Sequence, residues 1–484
     1  MRKRFLCLLM AGIMTASALA GCGAEEEENN NDNLLSTIFT GELERNVTIR
    51  VLENDTAIER GYFDELINAF NEKYKEYGIV AVDANMDQYL DLANDGPYGY
   101  GPDVLYQAND ILMKYVDGKH IYPLPVDKLE CYDKVPKEAW DAYKADVDGQ
   151  TYYCAVPVNV QSGLLYYRKD LLPDNWKETY DDNENDIPDM VENFNDLYKF
   201  SLERHSNDST KYGYMKSLYD VYFSSGFLFT YGAYVFGDNN TNPDDIGFDK
   251  GESAKGAQVL SQLASVMNEE CIDDTITTNC YSKLADGTYF ATISTPDVYT
   301  TFLKELVLEY ENQGLSNEEA VKKAKENLVM TSIPKLPVSG DLSEENGEFT
   351  DFISMGGING YAISAYTKAP NASLAFVEFA TSYEMMIERN KYLGIAPVRS
   401  DAAQATGELS ATLFDNLSEG KIIIMPSIKE IAQIWTPGET YFSDIAKDVF
   451  RPEGEKKYLT YDDFETGLVK MCNQIHDAIF TLAN

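Results

Sequence analysis

This 484-residue sequence predicts two α/β domains with a cleft between them, and three observations carry that expectation. First, residues 47–52 read as a strand. Residues 63–77 then repeat apolar side chains at helical spacing (Leu66, Ile67, Phe70, Tyr74), and residues 79–82 return as a strand, which together is a βαβ opening. Second, residues 101–110, GPDVLYQAND, read as a turn, a buried strand at 104–106, and then Gln107, Asn109 and Asp110 at its carboxyl end. Ligands of open α/β sheets sit outside those ends. Third, a D-G turn at 148–149 leads into a strand at 151–153, and Pro157 interrupts a strand-like run. That proline suits a crossover between two domains better than the middle of a sheet. Gln161 and Ser162 follow it.

The chain opens with Arg2, Lys3 and Arg4, an apolar run over 5–20, and Leu19-Ala20-Gly21-Cys22. The run is short for a membrane span, which needs about 20 residues, so it reads as an export signal, residues 1–21, ending at an acylated Cys22. The plainer alternative is a secretory signal with an incidental cysteine. Two acyl chains would hold the protein at a membrane where one would not. The acids and asparagines of 25–32 predict a flexible tether, taken here as 22–45, with folding starting near Asn46.

A formal net charge of -40 and 44% hydrophobic content fit two sizeable cores and disfavour nucleic acid or anionic lipid as partners. A neutral or cationic ligand fits that field better than an anionic one, although solubility alone also explains the acid. After Cys7 and Cys22, five cysteines remain (131, 154, 271, 280, 472). An odd number argues against a full disulfide framework, and small buried hydrophobes are the preferred reading over a Cys271–Cys280 bridge. His120, His205 and His476 form no zinc-like spacing. Asp182, Glu184, Asp186 and Asp189 alternate like a calcium loop but lack its glycine. No metal and no cofactor is expected.

Further along, residues 253–267 read as an amphipathic helix, 302–328 as a helical insertion with a Ser316–Glu319 capping box, 333–336 and the glycine-rich 355–363 as strands, and 372–381 as a helix. Several segments, in order, resemble the extracellular solute-binding proteins of ABC transporters, in the maltose-binding-like, sugar-recognising family and its lipoprotein form. They are the GPD-plus-strand at 101–106, the stretch His120 to Pro125, and Tyr153 to Leu172 with Arg168 where Asn is usual. Gly232 to Phe236, the segment 281–294 and MPSIKEIAQIW at 425–435 continue the series.

The resemblance implies a two-domain periplasmic-binding-protein-like fold (type II) with the ligand between lobes joined by a multi-strand hinge. The N-terminal lobe would comprise 46–158 and 333–382, the C-terminal lobe 159–332 and 383–484, with crossings near Val158, Ser332 and Ser382. It implies ligand contacts from Asn54 and Asp55 in the first ligand-side loop, Gln107, Asn109 and Asp110, and Gln161. Counting back from Gly232 adds Asp220 and Tyr222. Asp297 stands where the family commonly has an aromatic, with Tyr299 two residues on, and Trp435 would stack on a sugar ring. Gln107 occupies a register where the maltose-binding branch carries an aromatic. The implied function is capture of a carbohydrate, an oligosaccharide, for ABC permease subunits, without catalysis, at the outer face of the cell membrane. The alternatives are the same receptor for a polyamine, peptide or metal chelate, and a secreted glycoside hydrolase with paired carboxylates.

Overall fold

The computed structural model describes residues 31–87, 91–147, 149–273 and 275–481; the expected signal segment, 1–21, and Cys22 lie outside them. Two sheets organise the chain. The first has six strands. Its path runs Ile422–Ile424, Ser354–Ile363, Val104–Ala108, Thr48–Leu52, Val80–Asp83, and Val156–Ser162 pairs the other side of Ser354–Ile363. The opening is the expected βαβ unit: Thr48–Leu52 pairs in parallel with Val80–Asp83 and with Val104–Ala108. Between them the helix Tyr62–Lys73 buries Tyr62, Phe63, Leu66 and Phe70. Those positions fall on one stripe of a 3.6-residue period, which is why the segment is helical and why it docks on the sheet. The second sheet runs Leu328–Thr331, Leu164–Arg168, Tyr289–Ser294, Tyr212–Met215.

Each sheet nucleates its own core. One hydrophobic cluster gathers Ile49, Val51, Leu66, Phe70, Leu105 and Phe376, and the other Leu165, Tyr166, Phe194, Phe227, Leu263 and Phe290. Membership in these clusters places the crossings, and it corrects the expected boundaries. Val158, Val160 and Leu164 still pack in the first cluster and Leu165 in the second, so the first crossing lies at Leu164–Leu165, beyond Val158. Leu336, Leu342 and Met355 remain in the second cluster, and Ile358 begins the first, so the return lies near Gly356 instead of Ser332. Met385, Leu393, Val398, Leu413, Leu417 and Ile422 belong to the first cluster, and Ile431 to the second. The last crossing is therefore at Met425, not Ser382. The helices over 383–418 are amphipathic on generic grounds, and nothing in their spacing tells which of two apolar cores they cover.

Two further expectations change. The strand Val156–Ser162 runs straight through Pro157, which pairs with Gly360 beside a bulge where the register shifts between Asn359 and Gly360, the kind of place where a strand tolerates proline. The segment before Asn46 is not all tether: residues 31–38 are helical, Phe39 is buried in the first cluster, and the Glu44 carboxylate accepts the Asn371 and Ala372 backbone N–H at 3.2 and 2.7 Å. It thereby caps the helix Pro370–Ala380, whose Ala369 offers no side-chain cap of its own.

The glycines of the hinge strand have a packing cause. A β-carbon on Gly356 would stand 2.3 Å from Ile422 Cγ2, and one on Gly360 2.6 Å from the Val156 carbonyl oxygen. Strands approach Ser354–Ile363 from both sides, and side chains at these two positions would hold them apart. The insertion folds as the helices Tyr299–Asn312 and Asn317–Asn327, the second with its Ser316–Glu319 capping box formed. The five cysteines of the described chain are free, four buried and Cys280 half-buried.

Candidate ligand cleft

Alternation along the strand Val156–Ser162 turns Gln161 and Ser162 to opposite faces of the hinge. On the Gln161 side, between the lobes, lies a cavity of about 420 Å3, within the ~300–1,000 Å3 span of small-ligand sites. The first lobe and hinge contribute Ala108, Gln161, Gly357, Asn359 and Met425. The second contributes Lys216, Asp220, Tyr222, Phe223, Tyr281 and Phe302, among others. A larger cavity, about 690 Å3, opens on the Ser162 side. Its lysines are taken up by carboxylates on its own walls, Lys421 with Asp351 at 2.9 Å and Lys335 with Asp351 at 3.5 Å. The smaller cavity is the candidate site because it has apolar ring faces beside polar groups aimed inward, at the end of the strand Val104–Ala108 where open sheets bind ligands.

Gln161 is the junction of its polar wall. Its amide N–H donates to Asp297 Oδ1 at 3.3 Å, and its amide oxygen accepts from Asn359 at 3.1 Å. Its backbone carbonyl accepts the Tyr222 hydroxyl at 2.9 Å. Gln161, Tyr222 and Asp297 are thus joined directly, and Asp220 reaches them through Tyr222. Asp220 also caps the helix Val221–Phe229, accepting the Tyr222 N–H at 3.1 Å. Burial first, and then the carboxylates of Asp220, Asp297 and Asp110, push the Tyr222 phenol up, so it stays a neutral donor. Asp110, in the first turn of the helix Asn109–Asp117, has its carboxyl pushed up by burial, against Lys114 and the Ile111 and Asp110 N–H groups. A raised carboxyl pKa favours the folded state at acid pH, and that contribution is lost as pH rises through the raised value. Burial thus disfavours the Asp110 carboxylate relative to its protonated form.

The other expected residues stand differently. Asn54 is half-buried and spent as the cap of the helix Asp55–Glu59, accepting the Ala57 N–H at 2.8 Å, while Asp55 is exposed. Asn109 is wholly buried and donates to the Met425 carbonyl and the Ser427 hydroxyl at 2.9 and 2.8 Å, while accepting the Ile358 N–H at 3.2 Å. Full burial with those partners makes it a strap beneath the cleft instead of a ligand contact. Gln107 is half-buried opposite Gly360 in the sheet register. Tyr299 is half-buried at the start of its helix. Trp435 begins the helix Trp435–Asp448, which continues through Pro437 and Gly438, and its ring packs against the second core.

Sequence reasoning missed Lys216, Asn359 and Arg60. Lys216 was findable, since it follows the strand Tyr212–Met215 at its carboxyl end. Asn359 is the polar exception in a glycine and apolar run. Arg60 has no local signal: it closes a short helix of the first lobe, yet its guanidinium donates to the Leu393 carbonyl at 3.0 Å in its own lobe and crosses the cleft to the Asp297 carbonyl at 2.9 Å and to the Thr300 hydroxyl. Those crossing bonds exist only when the lobes are together. Discounted for partial exposure, they stabilise closure by about 1–2 kcal/mol. Arg60→Ala is expected to weaken ligand binding about 5- to 30-fold while leaving the ligand-free melting midpoint nearly unchanged; scattering should find the ligand-free variant more open. Equal affinity and equal dimensions would remove Arg60 from the closing device.

Comparison with known proteins agrees with this architecture. Residues 65–413 match the bacterial extracellular solute-binding protein family. A galactooligosaccharide-binding protein of Bacillus subtilis is 26% identical, covering 92% of this chain and 93% of its own. A maltooligosaccharide ABC transporter solute-binding lipoprotein of Streptococcus pneumoniae is 23% identical over 90% of this chain and 91% of its own. The crystal structure of the maltose-binding periplasmic protein MalE from Listeria monocytogenes, in complex with maltose, superposes with a TM-score of 0.68 at 21% identity, covering 90% of this chain and 98% of that one. At that identity the superposition establishes the fold, the two-domain periplasmic-binding-protein architecture, and with the match over 65–413 it follows that this chain belongs to the family of bacterial extracellular solute-binding proteins.

Proposed function

We propose that the protein is a lipid-anchored receptor on the outer face of the cell membrane that captures an oligosaccharide and hands it to the permease subunits of an ABC importer. The inter-lobe cavity carries this reading. Sugars present apolar C–H faces and a rim of hydroxyls, and the cavity pairs ring faces at Phe223, Tyr281 and Phe302 with donors and acceptors at Gln161, Asp220, Tyr222 and Asn359. The ligands named for the similar proteins support the same class. Closure is the expected response, because contacts from both lobes favour the closed form, and hinge closure around ligand is the behaviour known for this fold class. Such a receptor needs no proton transfer. A cationic ligand is the second reading, favoured by three carboxylates (Asp110, Asp220, Asp297) around Tyr222.

Calorimetry against maltooligosaccharides, galactooligosaccharides and spermidine separates these. An oligosaccharide should bind and be recovered intact after prolonged incubation. Cleaved product from pure protein would favour a hydrolase, and binding of spermidine alone the cationic reading. The anchor is tested apart: Cys22→Ala should give folded protein released from the membrane fraction, since the acyl chains alone hold it there. Retention equal to wild type would refute lipid anchoring.

A further inference from the structure

We propose that the second lobe holds a subsite of its own behind Tyr222, for a neutral sugar ring with two adjacent free hydroxyls, and that Lys216 with Asp220 determines its specificity. The inference deepens the carbohydrate reading and rests on it.

Lys216 follows the last residue of the strand Tyr212–Met215 and lines the cavity with Ser217, Asp220 and Thr292. Its side chain is only 11% exposed. The ammonium lies 3.5 Å above the Phe223 ring centre and 3.5 Å from Asp220 Oδ2, which is the limit of hydrogen-bond length. An ammonium has three N–H donors and no acceptor. One long carboxylate contact and a ring face leave that capacity underused in a buried place, where unmet donors are costly. Burial lowers the Lys216 pKa, against Asp220 and Cys280, which agrees with a charge held short of full compensation. Lys216 lines the cavity, so an acceptor on a ligand held there can meet that capacity.

The matching ligand group follows from the pair. A hydroxyl oxygen accepts from the ammonium, and the neighbouring hydroxyl donates to the Asp220 carboxylate. Two adjacent hydroxyls satisfy both charges at once and bring no net charge of their own. A ligand carboxylate would satisfy Lys216 but confront Asp220, with Asp110 and Asp297 also acting on this region through Tyr222. Arg60 offers it no relief, since its guanidinium is engaged with Leu393, Asp297 and Thr300. Ile276, Tyr281 and Phe302 line the same cavity and supply apolar surface for the C–H face of the ring.

The test titrates full-length wild type, Lys216→Met and Asp220→Asn with maltotriose, a galactotriose, a uronic-acid trisaccharide, and monodeoxy analogues of whichever neutral sugar binds. Lys216→Met is expected to lose affinity about 10- to 150-fold, the range of a hydrogen bond to a charged group. The analogue missing the hydroxyl that Lys216 reads should cost wild type tenfold or more and cost Lys216→Met less than threefold. That cancellation is a readout that a purely structural lysine would not move. Asp220→Asn should lose discrimination at the adjacent hydroxyl, and it serves if Lys216→Met does not fold. Wild-type affinity in Lys216→Met, or undiminished discrimination in both variants, overturns the subsite while leaving the carbohydrate reading intact. Preference of wild type for the uronic-acid sugar overturns the neutral-ring assignment. Failure of wild type to bind any of the sugars overturns the carbohydrate reading itself, and is seen before any variant is made.

Discussion

Arg389→Met is expected to destabilise the ligand-free protein by about 3–5 kcal/mol, lowering the first lobe's melting midpoint on the order of 10 °C. Arg389 and Glu53 form a bidentate ion pair at 3.0 and 2.9 Å, with side chains 2% and 0% exposed. Tyr361 donates to the same Glu53 oxygen at 2.5 Å and accepts from Arg389 at 3.1 Å, and the guanidinium lies 4.0 Å above the Tyr106 ring. Removing the arginine leaves a buried carboxylate without its counter-charge, which costs far more than the pair contributes net. Glu53→Leu with Arg389→Met should therefore recover much of the loss, because the uncompensated charge goes too. A single variant within 1 kcal/mol of wild type would show that water reaches Glu53 in place of the arginine. The pair ties the end of the strand Thr48–Leu52 to the helix Tyr383–Leu393, so it also fixes where the first ligand-side loop begins.

What was legible in the sequence has a common physical basis. The βαβ opening, the strand at 104–106 and the capping box are local signals, set by periodicity and by hydrogen bonds between residues three or four apart. The fold followed from their order. The crossings were misplaced because lobe membership is a long-range property. The stretch 383–422 is apolar on one face in the usual way, and its assignment depends on which core it reaches in space. Pro157 shows the converse: a local rule against proline in strands was correct in kind, and the chain met it with a bulge instead of a crossover.

The site divides along the same line. Tyr222 and Asp297 meet at the Gln161 carbonyl and amide, and Asp220 joins them through the Tyr222 N–H, because Gln161 lies near the end of one strand and the others follow the ends of two more. Lys216 obeys the same rule and was passed over because the short strand before it, Tyr-Gly-Tyr-Met, has no alternation to announce it. Arg60 and Glu44 could not be found from the sequence. Their partners are 237 or more residues away, and long side chains crossing such distances leave no pattern in the neighbouring residues.

Asn109 is the strongest case of a polar residue at a strand's carboxyl end that serves the fold, and its substitution is the second large effect expected. It lies where ligand contacts are sought, yet it is fully buried and ties its helix to two other chain segments: the hinge strand, through the Ile358 N–H, and the last crossing, through the Met425 carbonyl and the Ser427 hydroxyl, which itself donates to the Ala142 carbonyl at 2.8 Å. Asn109→Ala leaves the buried Ile358 N–H without its side-chain acceptor and the half-buried Met425 carbonyl without its donor, the first alone worth about 1–3 kcal/mol, so the variant should cost about 2 kcal/mol or more. Aspartate is no substitute, since it cannot donate to Met425. Denaturant titration of the ligand-free protein should show the loss in the midpoint. Calorimetry on the protein that remains folded should find affinity within about threefold of wild type, because no ligand bond has been removed. An unchanged midpoint with a large loss of affinity would return Asn109 to the ligand.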